Sequence, residues 1–149
     1  MSLGILVKGS EGIVLAADSR LTLQAQLPQP PNYLIVNFDN AAKLLNFAEP
    51  NDWIGAITYG DAVIGTTPRD LRTAQSFVPE FEAKLKERLS VEEFAIRLSA
   101  FYMGRWAEKG MPPADRYPGA GMTFVVGGYN KDAAYGSVYK FEIPKAPQP

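Results

Sequence analysis

Short apolar runs bounded by glycine, proline and polar residues lie toward both ends of the chain and predict strands there. The first two runs, 4–8 and 13–17, flank the turn residues 9–12 and therefore predict a hairpin. The second run is apolar throughout, so we expect it to be covered on both of its faces. Further strands are predicted at residues 33–36, 43–47, 53–59, 122–128 and 137–143.

Between these strands the spacing of the apolar residues changes to that of helices. Thr67 is a typical N-cap residue and Pro68 suits the first helical turn, so a helix is predicted to begin there. Pro79 should kink this helix or restart it. Ser90 begins a capping box, and the apolar residues behind it predict a longer helix that ends before residues 110–113.

The order of these elements is strands, then two helices, then strands. This order favours an α+β fold with antiparallel pairing. The length of 149 residues fits one domain, which we expect to span residues 1–149. The proline cluster at residues 27–31 should interrupt regular structure, because proline lacks a backbone donor and restricts the residue before it.

The chain contains neither histidine nor cysteine, which narrows the possible chemistry. Serine–histidine and cysteine–histidine nucleophiles are excluded, and so are zinc sites built from these residues. The lack of disulfides suits a reducing, cytoplasmic location. A net charge of −1 does not favour nucleic acid as a partner. No apolar run approaches the ~18 residues of a membrane-spanning helix, so we expect no membrane partner.

Without histidine, a hydroxyl nucleophile needs another base. Ser2 follows the initiator methionine directly, and a small second residue permits removal of Met1. This would place an α-amine, with a reference pKa of about 7.7–8.0, beside the serine hydroxyl. Such a pair is an activated nucleophile. In the alternative interpretation, Met-Ser-Leu is an added leader and Ser2 is an ordinary terminal residue.

Residues 12–20, Gly-Ile-Val-Leu-Ala-Ala-Asp-Ser-Arg, resemble the second strand and the Asp-x-Arg signature of proteasome β-type subunits. Those subunits are N-terminal nucleophile hydrolases. Residues 43–45 are similar to the family's catalytic lysine and the apolar residues after it, and residues 53–61 to the strand and glycine turn beside its active site. The resemblance implies a four-layer αββα sandwich of antiparallel sheets. It also implies a homo-oligomeric ring that hydrolyses peptides or unfolded proteins.

The resemblance further implies a role for each matching residue. It places the nucleophile on Ser2, where the family usually has threonine, and it pairs Asp18 with Lys43. Arg20 would brace Asp18 and the loop that follows. The backbone N–H of Gly60, or that of the adjacent Tyr59, would stabilise the oxyanion. The family's last strands and helices have no counterpart here, so we expect a domain that is incomplete at its C-terminal end.

The substrate pocket is also placed by the resemblance. Leu21, Ile57 and Asp61 would lie near it, and Ile57 would favour apolar substrate side chains. The family's chemistry implies neither a metal nor another cofactor.

Two other functions stay open at the level of the sequence. One is a noncatalytic ring subunit, similar to the α-type partners of the same assembly. The other is a related hydrolase of small amides. Two of the site residues also have structural alternatives to a catalytic role. Asp18 could be a turn residue, and Lys43 could be an exposed strand lysine. A processed N-terminal hydroxyl residue would favour the catalytic interpretation.

Overall fold

Strands, all paired antiparallel, make up most of the regular structure in a computed structural model that describes residues 2–26 and 33–149. The proline cluster at 27–31 lies outside these described residues. The strands are β1 Gly4–Lys8, β2 Ile13–Ala17, β3 Leu21–Gln26, β4 Tyr33–Phe38, β5 Leu44–Asn46, β6 Ile54–Gly60, β7 Val63–Ile64, β8 Arg72–Thr73, β9 Met122–Gly128 and β10 Ser137–Ile143. The helices are α1 Val78–Glu82 and α2 Val91–Glu108. The expected α+β class is therefore confirmed.

A central sheet, in the order β10-β9-β6-β5, separates the hairpin β1–β2 from the helices. On one face of β9, Met122, Phe124 and Val126 belong to the buried core that includes α2. On the other face, Gly127 lies under the hairpin, since a Cβ on this glycine would sit 3.2 Å from the Ile13 side chain. The alternation of side chains along a strand thus divides the interior into two packing layers.

The hairpin β1–β2 forms where the sequence predicts it, but its outer face is exposed. Ile13 and Leu15 point to the sheet, whereas Val14 is 62% exposed. The expectation that this strand is covered on both faces is wrong. A hairpin can pack on a sheet with one face only, and antiparallel strands tolerate a solvated face. Within residues 2–26 and 33–149, both helices lie on the opposite side of the central sheet.

The helix predicted to begin at Thr67 does not form. The Thr67 hydroxyl donates to the Asp70 carboxylate at 2.9 Å, and the Asp70 N–H donates to the Thr67 carbonyl at 2.9 Å. These local bonds close a turn between β7 and β8, because a capping residue can equally satisfy a turn. A 3₁₀ helix, Ala74–Phe77, follows, and α1 then begins with Pro79 in its first turn.

The second predicted helix is confirmed as α2. The Ser90 hydroxyl accepts a hydrogen bond from the Glu93 N–H at 3.1 Å, which is the N-cap geometry that the sequence indicates. The apolar face of α2 is buried against β9 and β10. On β10, Tyr139, Phe141 and Ile143 face this core, as their alternation predicts.

One strand of the ladder between β3 and β4 is not predicted from the sequence. A strand is predicted at residues 33–36, but none is predicted at residues 21–26. The two strands pair from Leu21 opposite Phe38 onward. Beyond the ladder, the Ala41 N–H donates to the Ser19 carbonyl at 2.9 Å. This pairing returns the chain to the end of β2 and thereby positions the residues just before β5.

Candidate functional site

Lys43 lies just before β5 and is only 5% exposed. Its ammonium donates to the Arg20 carbonyl at 2.6 Å, to Asp18 Oδ2 at 2.8 Å and to Ser2 Oγ at 3.1 Å. An ammonium has three donors and no acceptor, so all of its hydrogen-bonding capacity is used. The predicted meeting of Ser2, Asp18 and Lys43 is confirmed, and the alternative of an exposed strand lysine is wrong.

Asp18 connects the lysine to the start of β1. Its Oδ1 accepts from the Leu3 N–H at 2.8 Å, while the Asp18 N–H donates to the Leu3 carbonyl at 3.0 Å. The hydrogen bond from Lys43 is the main reason that the pKa of the Asp18 carboxyl lies below its usual value. Asp18 therefore stays ionised near neutral pH and holds Leu3, and with it the adjacent Ser2, beside the ammonium.

Arg20 braces this region mainly through its backbone. Its N–H donates to Asp18 Oδ2 at 3.2 Å, and its carbonyl receives the bond from Lys43. The guanidinium lies at the surface and pairs with Asp39, with Nε 2.6 Å from Oδ1. The side chain thus ties the loop after β2 to the end of β4, and its hydrogen-bond partner among the described residues is Asp39. Asp39 was not identified from the sequence, because nothing local links it to a site.

A cleft of about 290 Å³ opens beside Ser2. Leu21 and Asp61 line it, as the resemblance predicts. Ile57 does not: it is 1% exposed and faces the hairpin, where a Cβ on Gly4 would lie 3.1 Å from its Cδ1. The placement of Ile57 at the substrate pocket is therefore wrong. Side chains alternate along β6, and position 57 falls on the face that packs against β1–β2.

Gly60 ends β6 at the same cleft and has a φ of +89°. A Cβ at this position would collide with the Gly121 carbonyl, so both the conformation and the space require glycine. The Thr58 N–H donates to the Lys43 carbonyl at 2.9 Å. Because N–H groups alternate in direction along a strand, the Gly60 N–H is directed to that same edge of β6. This orientation agrees with the role that the resemblance implies.

One wall of the cleft is a carboxylate–phenol pair. Asp61 Oδ2 accepts from the Tyr117 hydroxyl at 2.6 Å and from the Gly121 N–H at 2.9 Å. Burial, and then the contact with Asp61, raise the pKa of the Tyr117 phenol well above its usual value, so this hydroxyl remains a donor. Tyr117 was missed because it lies in the irregular connection after α2, where no motif distinguishes it.

Comparison of the chain with protein-family models, with curated proteins and with solved structures finds no match. In the part of the chain that the structure describes, none of the helices has both the length and the apolarity needed to cross a membrane. In the same part, no three acidic side chains are grouped so that they could hold a metal ion. The function must therefore be inferred from the geometry around Ser2.

Proposed function

We propose that this chain is an N-terminal nucleophile hydrolase that cleaves peptide or other amide bonds with Ser2. The observation that carries the proposal is the buried Lys43 ammonium, 3.1 Å from Ser2 Oγ and 2.8 Å from Asp18. A positive charge beside a hydroxyl stabilises the alkoxide that forms as the hydroxyl loses its proton. The resemblance to proteasome β-type subunits assigns the same roles to the same residues.

The general base in this proposal is the α-amine of Ser2, freed by cleavage of the bond before it. Lys43 cannot accept the hydroxyl proton while its three N–H groups donate to Asp18, Arg20 and Ser2. Asp18 is held ionised by the same ammonium and is already engaged by Leu3. An α-amine has a reference pKa of about 7.7–8.0, and the nearby ammonium favours its neutral form.

The reaction follows from these positions. The α-amine takes the proton of Ser2 Oγ as Oγ attacks the amide carbon, and the Gly60 N–H stabilises the oxyanion. The resulting ammonium gives its proton to the leaving nitrogen as the C–N bond breaks, which leaves an ester on Ser2. Water, activated by the same amine, then attacks the ester and releases the acid.

Ser2→Ala tests this proposal directly. We expect the variant to lose hydrolysis of fluorogenic peptide amides, since no oxygen remains to form the ester. Ser2→Thr should retain activity, because threonine keeps both the hydroxyl and the amine. Intact mass should show that residue 1 is absent from active protein, and a peptide vinyl sulfone or epoxyketone should add covalently at residue 2. Full activity in Ser2→Ala would refute the proposal, and so would activity in protein that retains Met1.

We also propose that the hairpin, the central sheet and the helices are three layers of a four-layer αββα sandwich, whose fourth layer would cover the hairpin, and that the protein assembles into a ring. The support is the exposed outer face of the hairpin, where Ile5, Val7 and Val14 form an apolar surface. Such a surface is typical of one that is covered in the working assembly. Light scattering should give a mass several times the 16.3 kDa of one chain. A single-chain mass at every concentration would contradict the ring.

A further inference from the structure

Asp61 brings a negative charge into the cleft beside Ser2. One of its oxygens, Oδ2, accepts from Tyr117 and Gly121, whereas Oδ1 has no hydrogen-bond donor among the described residues. Arg20 also lines the cleft, but its guanidinium is paired with Asp39. Among the described residues that line this cleft, the carboxylate of Asp61 is therefore the charge available to a ligand.

Part of the rest of the lining is apolar, and this part suits an aliphatic stem. Leu21, Val63 and Met111 contribute apolar walls, and the Tyr117 ring is fixed by its edge-on contact with Trp106, with centroids 4.8 Å apart. Lysine and arginine combine an apolar stem with a charged end. A neutral group in the same place would displace water from Oδ1 of the half-buried carboxylate and offer this oxygen no charged donor, which is unfavourable.

We propose that Asp61 is a specificity-determining residue, whose carboxylate binds an ammonium or guanidinium group of the substrate through Oδ1. This inference rests on the proposed hydrolase function and deepens it by naming a cationic substrate. It also replaces the apolar preference expected from Ile57, which lies outside the cleft. Two sources could supply the cation: a lysine or arginine side chain next to the cleaved bond, or the free amine of a short substrate.

Fluorogenic amides separate these sources. Acetylated peptides with lysine or its neutral analogue norleucine before the cleaved bond test the side chain, and leucine amide with a free or acetylated amine tests the terminus. We expect at least one cationic member of these pairs to exceed its neutral partner by about tenfold in kcat/KM. This ratio corresponds to the free energy of one hydrogen bond to a charged group. Asp61→Asn, which can still accept from Tyr117 and Gly121, should reduce that ratio to about one.

Asp132→Asn is the matched control, because Asp132 is exposed and lines a different surface depression. It should keep the parent ratio. A parent ratio of one for both pairs would overturn the inference, and so would a cationic preference that persists unchanged in Asp61→Asn.

A binding measurement distinguishes failure of this inference from failure of the proposed function. We expect n-pentylamine, but not 1-pentanol, to shift the backbone amide NMR signal of Gly121, whose N–H donates to Asp61. Asp61→Asn should abolish the shift. A shift without hydrolysis of any amide would contradict the proposed hydrolase function but support the cation site. Hydrolysis without a shift in the parent protein would overturn the cation site alone.

Discussion

Replacement of Lys43 by alanine should remove amide hydrolysis. The ammonium contacts Ser2 Oγ, and the chain has no histidine that could take its place. Loss of one preorganised electrostatic contact of this kind typically reduces turnover by about 100- to 1,000-fold. We expect at least this decrease in kcat/KM for a fluorogenic peptide amide, measured at equal concentrations of variant and parent.

The fold should survive the Lys43→Ala change, since the Asp18 side chain is 28% exposed and water can replace part of the lost contact. Circular dichroism would check this. Lys8→Ala is the matched control, because Lys8 is an exposed lysine at the end of β1 and should leave activity unchanged. Lys43→Arg should not restore activity, because a planar guanidinium cannot reproduce the compact geometry of three bonds from one nitrogen. Activity within tenfold of the parent in Lys43→Ala would show that the site is not catalytic in the proposed way.

Phe124→Ala should give the largest loss of stability. Phe124 is fully buried on β9, stacks on Phe141 with centroids 4.9 Å apart and contacts Tyr102 of α2 at 4.5 Å. Truncation of a buried phenylalanine costs about 3–5 kcal/mol, out of a typical total of about 5–15 kcal/mol. We expect a reduction of this size in the free energy of unfolding, measured by urea denaturation followed by circular dichroism.

Tyr135→Ala provides the comparison for Phe124→Ala, because Tyr135 is 69% exposed. Its free energy of unfolding should change by no more than about 0.5 kcal/mol. Equal unfolding midpoints for the two variants would contradict the position of Phe124 between the central sheet and α2. A marked loss of stability in Phe124→Ala should also lower activity at elevated temperature, because β9 pairs with β6, the strand that carries Gly60.

Elements in which the apolar residues recur at a clear spacing could be predicted from the sequence. The hairpin β1–β2 follows from two apolar runs around a glycine turn, and α2 follows from the Ser90 cap and the apolar spacing behind it. These features depend on neighbours a few residues apart, so the chain carries their signal locally. The same reason explains the error at Thr67, where one short motif satisfies either a helix N-terminus or a turn.

The sequence by itself also determined the first members of the candidate site, since the resemblance predicted that Ser2, Asp18 and Lys43 would meet. Only the tertiary structure decided which other side chains join them. Ile57 and Asp61 are four residues apart, yet strand alternation buries Ile57 under the hairpin, while Asp61 follows the turn at Gly60 into the cleft. Tyr117 reaches Asp61 across 56 residues of sequence. Contacts over such separations are fixed by register and packing, which no local pattern specifies.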